Sequence, residues 1–193
     1  PPSAFKGDIL WRQQLEARFG LRKLGFQAVL QKQANKLTLI GLGPAGSKAF
    51  VLNQQGAEVT FKSYMPRKMP FPPRFILIDV QRAWLQFSPE TTRPDGTHTI
   101  DLVDETLQET WHGGRLVRRS FVLKDGKRKG QILVTYEAPK AGVAEGASAG
   151  AAAGAAAGGG DGGLGARKPG VVVLKNGWFG YELRIETLEA RAL

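Results

Sequence analysis

A hydrophobic period of two, broken at short intervals by tight turns, runs along most of this chain. Ile9, Trp11, Leu15, Ala17 and Phe19 share one face of an opening strand, with Arg12, Gln14, Glu16 and Arg18 on the other. Leu24, Phe26, Ala28 and Leu30 then alternate with Gly25, Gln27, Val29 and Gln31. Successive side chains leave opposite faces of a pleated strand, so this alternation marks half-buried strands. Further strands are expected at residues 36–40, 49–53, 58–62, 99–111, 116–123, 131–137, 171–175 and 179–187. Turn signals separate several of them: Gln54-Gln55-Gly56, His112-Gly113-Gly114, Lys124-Asp125-Gly126-Lys127 and Lys175-Asn176-Gly177. Strands joined in this way form a meander of antiparallel hairpins.

One helix interrupts the meander. Residues 74–86 are largely apolar, with Asp79, Arg82 and Gln86 forming a polar stripe on one helical face, and Pro73 suits the first turn. So wide an apolar face must pack against the sheet. About ten antiparallel strands with one buried helix cannot make an isolated flat sheet. The expected fold is therefore mainly β: an unclosed antiparallel barrel wrapped over a helix, with an apolar concave side. The chain of 193 residues reads as a single domain spanning 1–193. Residues 141–166 are nearly all Ala and Gly, too small to bury the area that would offset backbone ordering, and are expected to form a flexible insertion. The G-x-S-x-G match at Gly146-Ala147-Ser148-Ala149-Gly150 lies inside that insertion, away from any strand-to-helix elbow, and is a product of composition.

Catalysis has little to stand on, and no enzyme is expected. The absence of cysteine excludes disulfides, thiolate nucleophiles and thiolate metal sites. His98 and His112 are the only histidines and lack metal-ligand spacing. Asp101, Asp104, Glu105 and Glu109 read as charge partners of the basic hairpin that comes after them. Neither a cofactor nor a metal is expected. The competing signal is Gly41-Leu42-Gly43-Pro44-Ala45-Gly46, a G-x-G-x-x-G after a strand, as in a flavin or nicotinamide Rossmann fold. Against it, the gap to Gly56 is short for a helix and its turn, Lys62 and Ser63 stand where a ribose-binding acid belongs, and hairpins replace the βα alternation. On the hairpin reading, Leu42, Pro44 and Ala45 are carried into solvent.

The net charge of +10 points to an anionic partner. Arg115, Arg118, Arg119, Lys127, Arg128 and Lys129 cluster in one hairpin and are expected to face an anionic surface. Nucleic acid is not the expected partner, because the aromatic residues alternate onto apolar faces and are not interleaved with Arg as stacking platforms.

The segment 37–52 with its GLGPAGS turn, the helix after Pro72-Pro73, and the closing hairpin Leu174-Lys175-Asn176-Gly177-Trp178-Phe179-Gly180-Tyr181 together resemble the LolB-like outer-membrane lipoproteins. The resemblance implies an acyl-chain cavity inside an unclosed barrel. It also implies an anchor on the periplasmic face of the outer membrane, through a lipidated Cys preceding Pro1. Its loop at 41–46 would touch the membrane through Leu42, Pro44 and Ala45; Ala45 stands where the family carries a protruding leucine. Implied partners are a LolA-like periplasmic carrier, an acylated lipoprotein or lipid cargo, and the inner leaflet of the outer membrane, met as a monomer. A free lipid or polyene-type tail is the alternative cargo. Trp11, Leu15, Phe26, Leu30, Leu39, Phe50, Leu52, Phe61, Leu183 and Ile185 are the candidate lining of the cavity, although alternation alone leaves open whether they line it or fill a solid core.

Overall fold

The computed structural model describes residues 2, 7–43, 45–66, 73–85, 93–126, 128–137 and 170–193. The chain forms β1 (Ile9–Phe19), β2 (Arg22–Gln33), β3 (Lys36–Leu42), β4 (Lys48–Gln55) and β5 (Glu58–Ser63). Helix α1 (Arg74–Val80) comes next and continues into a π-helical turn, Gln81–Leu85. Then come β6 (Gly96–Asp101), β7 (Glu105–His112), β8 (Arg115–Leu123), β9 (Ile132–Tyr136), β10 (Val171–Asn176) and β11 (Tyr181–Ala192). All eleven strands belong to one antiparallel sheet in the order β5-β4-β3-β2-β1-β11-β10-β9-β8-β7-β6. The first and last strands pair at its centre, from Ile9 opposite Ala192 to Phe19 opposite Tyr181. The free edges are β5 and β6, and the helix lies in the segment that links them.

The curl of this sheet is required by two adjacent residues. Gln81 donates to Gln54 on β4, while Arg82 donates to Glu105 on β7. Those strands are eight ladder steps apart, on the order of 38 Å across a flat sheet at the usual interstrand spacing. Two neighbouring side chains cannot bridge that distance, so the sheet wraps around the helix. The expected unclosed barrel over one buried helix is what forms.

Three local expectations differ from the structure. Residues 99–111 make two strands, not one. Leu102, Val103 and Asp104 turn between β6 and β7, closed by the Leu102 N–H donating to the Glu105 carbonyl at 2.9 Å. That turn has no Gly or Pro to announce it; its trace in the sequence is the change of apolar parity from Ile100 and Leu102 to Leu107 and Trp111. The helix changes to π geometry after Val80 and does not run through as one α-helix. Its polar stripe is also enclosed with its apolar face: Asp79 is 1% exposed and Arg82 is buried beside Ile76, Leu77, Val80, Ala83 and Trp84. The side of the helix left partly open carries Arg74, Phe75, Ile78 and Gln81, while the curled sheet covers the side that bears Asp79 and Arg82. Gln86 and the Ala/Gly run 141–166 lie outside the described residues. The strands flanking that run pair directly, Tyr136 opposite Val172, with the Glu137 N–H donating to the Val171 carbonyl at 2.9 Å.

Candidate acyl-binding face

Register assembles the candidate lining. Trp11 on β1 lies opposite Leu30 on β2, Leu30 opposite Leu39 on β3, Leu39 opposite Leu52 on β4, and Leu52 opposite Phe61 on β5. Directly paired residues share a face, so these five side chains form one apolar row across the concave side. Leu15 opposite Phe26 and Ile185, and Leu183 opposite Ala17, extend the same face. Phe50 faces inward from β4, its ring 6.1 Å from Phe26 and 6.3 Å from Phe61. Gly41 lies between them on β3, opposite both Ala28 and Phe50. A Cβ at Gly41 would sit 2.2 Å from the Phe50 ring, so only a glycine lets that ring lie across β3.

This face is sealed in its middle and open at one end. Trp11, Leu15, Leu30, Leu39, Phe50, Leu52, Leu183 and Ile185 are buried, whereas Phe26 is half-buried and Phe61 is 38% exposed. Leu24, next to Phe26 on the inward face, is 57% exposed. Leu24, Phe26 and Phe61 therefore form an exposed apolar border, the mouth of this face, beside the buried row. Deeper in, Trp84 meets Trp11 edge-on at 5.9 Å, and both indole N–H groups are buried with no hydrogen-bond partner among the described residues.

The other half of the concave side carries a polar network set among buried apolar residues such as Leu107, Phe121, Ile132, Val134 and Leu174. Asp79 accepts from Arg82 at 3.0 Å, from Asn176 at 2.9 Å and from the Tyr181 hydroxyl. Arg82 also pairs with Glu105 and lies over the Trp178 and Phe121 rings at 4.9 and 5.6 Å. Arg119 Nε donates to Glu109 at 2.9 Å, its guanidinium reaches the Arg82 carbonyl at 3.0 Å, and the Tyr136 hydroxyl donates to the Ala83 carbonyl at 2.6 Å. Burial is the largest influence on Asp79 and pushes its carboxyl above the usual range, against the donors Tyr181 and Asn176 and the charge of Arg82. Burial, then the Asp79 charge, raises Tyr181, and burial pushes Tyr136 up to about 12, so both phenols stay protonated donors. A network with its charges paired tolerates burial, and this one pins the helical segment to β7, β8, β9, β10 and β11.

The basic cluster expected at one surface is divided. Arg119 is 4% exposed and lies inside, paired with Glu109, which corrects its assignment to an anionic surface. The reason is parity: Arg119 sits opposite Glu109 and Val134 on the inward face. Arg118 is exposed on the outward face, and Arg115 ends the β7–β8 turn at the far rim from the β8–β9 link. Arg128 and Lys129 are exposed on that link, with Arg128 over the Phe179 ring at 4.3 Å. Lys127 and Pro44 lie outside the described residues.

In the glycine-rich segment, Leu42 is not at a loop tip. It is a half-buried strand residue opposite Gln27, and the exposed turn residues are Ala45, Gly46 and Ser47. The turn closes with the Gly43 N–H donating to the Ser47 carbonyl at 2.8 Å and the Gly46 N–H to the Gly43 carbonyl at 2.9 Å. The turn leads into the antiparallel strand β4, not into a helix, so no helix N-terminus meets a pyrophosphate and the dinucleotide alternative falls. The pairing of Glu109 with the basic hairpin follows the expectation drawn from sequence, whereas its place in the interior and its connection to Asp79 and Arg82 of the helix do not. The signal for the interior place was present, since Glu109 shares the strand parity of the apolar Leu107 and Trp111.

A family model described as "Protein of unknown function (DUF3261)" matches residues 10–189. No curated protein matches the sequence. Among solved structures the chain is similar to a LolA superfamily protein from Nitrosomonas europaea, at 9% identity and TM-score 0.48, over 98% of this chain and 89% of that one. It is also similar to an outer membrane lipoprotein-sorting protein domain from Vibrio parahaemolyticus, at 10% identity and TM-score 0.44, over 96% of this chain and 85% of that one.

Proposed function

We propose that this chain, which belongs to the DUF3261 family, binds acyl chains on its concave face and passes acylated cargo to a membrane. The observation that carries the reading is the aromatic mouth. Phe26, Phe50 and Phe61 join a solvent-exposed entrance to the buried row Trp11, Leu30, Leu39 and Leu52. Each methylene moved from water onto such a face contributes roughly 0.8 kcal/mol, so a long acyl tail supplies its own driving force. The cargo on this reading is a lipoprotein, received from a LolA-like periplasmic carrier and delivered to the inner leaflet of the outer membrane. The protein itself works as a lipid-anchored monomer on the periplasmic face. A free lipid or polyene-type tail would use the same mouth.

Titration with a long-chain fluorescent fatty acid tests this. The expected result is saturable binding that Phe61→Asp weakens roughly tenfold or more, because a charge then stands where the chain enters. Phe61 is partly exposed on an edge strand, so the variant folds. Absence of saturable binding by the wild-type protein refutes the reading.

A further inference from the structure

An up-and-down meander sends alternate turns to the same rim. The β1–β2, β3–β4, β6–β7, β8–β9 and β10–β11 connections all fall at one end of the curled sheet, the end at which Leu24 opens the mouth. Leu21, at the tip of the β1–β2 turn, is fully exposed, and its neighbours Arg22 and Lys23 are exposed with it. Lys48 is exposed just past the β3–β4 turn, and Arg128 and Lys129 on the β8–β9 link. A run of rings ties that link to the β1–β2 turn: Phe19 to Tyr181 at 5.6 Å, Tyr181 to Phe179 at 6.5 Å, and Arg128 over Phe179. Val103, 91% exposed, is a second aliphatic tip on the β6–β7 turn. Among the described residues the exposed acids at this rim are Asp101, Asp104 and Asp125, Asp101 being paired with Lys124 at 2.7 Å. The half-buried Glu105 and Glu182 pair with Arg82 and Lys175. At the opposite rim exposed charges of both signs mix, Lys36 and Arg115 with Glu58, Asp95 and Glu137.

We infer that the β1–β2 rim docks on an anionic lipid bilayer, with Leu21 entering the acyl boundary and Arg22, Lys23, Lys48, Arg128 and Lys129 lying at the phosphates. A fully exposed leucine beside two cations stabilises nothing in the folded chain. At an interface it gains apolar contact while each cation gains attraction to the anionic layer. The fully exposed tips, Leu21 and Val103, are aliphatic. The rings of the β10–β11 turn, Trp178 and Phe179, are half-buried and covered by Arg82 and Arg128, so this rim offers nucleic-acid bases few open stacking faces. With this rim on the bilayer, the mouth at Leu24 opens toward it. That last consequence rests on the acyl-binding reading, whereas the docking does not.

The test is flotation of cargo-free protein with vesicles of phosphatidylcholine alone and with phosphatidylglycerol added. Wild-type protein is expected to float with the anionic vesicles only. Leu21→Asp and the pair Arg22→Gln/Lys23→Gln should each lower vesicle affinity roughly tenfold, with circular dichroism and fatty-acid affinity unchanged. The far-rim pair Lys36→Gln/Arg115→Gln should float like wild type. The inference is overturned if wild-type protein ignores anionic vesicles, if the near-rim variants float normally, or if the far-rim pair loses as much. It is also overturned if the near-rim variants instead lose binding to single-stranded DNA or to an acidic protein. Vesicle binding without fatty-acid binding would sink the proposed function and leave the docking surface standing.

Discussion

Replacing Arg119 by Ala would leave a buried carboxylate without its main partner. Glu109 is 2% exposed, and Arg119 bonds it at 2.9 Å while also donating to the Arg82 carbonyl on the helix. Breaking a buried ion pair from one side typically costs about 3–5 kcal/mol, because the remaining charge stays desolvated. Here Arg93 Nε, 3.5 Å from the second Glu109 oxygen, and the Trp111 indole N–H at 3.4 Å remain, which places the cost near the lower end. A loss of about 3 kcal/mol in a chain of this size lowers Tm by roughly 6–12 °C. Removing both charges with Arg119→Met and Glu109→Met should recover most of that, since apolar replacements of buried pairs are often neutral. Urea unfolding followed by tryptophan fluorescence reads both variants. A loss under about 1 kcal/mol for Arg119→Ala, or a double variant less stable than the single one, would show that the pair does not carry the helix–sheet contact assigned to it.

Gly41→Ala should destabilise by about 1–3 kcal/mol by driving a Cβ into the Phe50 ring, and weaker fatty-acid binding should accompany it as Phe50 shifts against Phe26 and Phe61; wild-type stability and binding would refute the close approach. Replacing residues 141–166 with Asn-Gly should move Tm by no more than about 2 °C, because β9 and β10 already pair across the segment and closure entropy varies slowly with length; a larger fall in calorimetry would mean that the segment packs. Asp8 accepts from the Ala34 N–H at 2.8 Å and from Lys32 at 3.1 Å, which together hold its carboxyl below the ordinary 3.8, the backbone bond most strongly. A depressed folded pKa contributes stability that is full above the unfolded value and is lost as pH falls through the folded one. Asp8→Asn should therefore be less stable than wild type at neutral pH, with the gap closing below pH 3.8 in acid-titrated unfolding curves; a gap independent of pH would contradict this.

The alternation in the sequence settled which side chains share a face. Trp11, Leu30, Leu39, Leu52 and Phe61 come from five strands, and each could be placed on the apolar side from its own neighbours. The breadth of the apolar face on residues 74–85 likewise required the sheet to cover a helix. What the sequence could not place was anything that depends on pairing between distant segments. Arg118 and Arg119 are adjacent and chemically alike, yet the pleat sends one to solvent and the other to Glu109. A run of cations reads as one surface until register assigns each member a side. Asp79 and Arg82 read as the outer stripe of an amphipathic helix, and they are interior because the curl brings Glu105, Asn176 and Tyr181 around that side. The rim at which Leu21 and Lys48 meet Arg128 exists only because β1 pairs with β11 at the centre of the sheet, which stacks both halves of the meander with their turns in phase. Local chemistry determines the face of a strand, since its period is a property of the backbone. Which charges are buried together, and which turns share an end, is decided by long-range register.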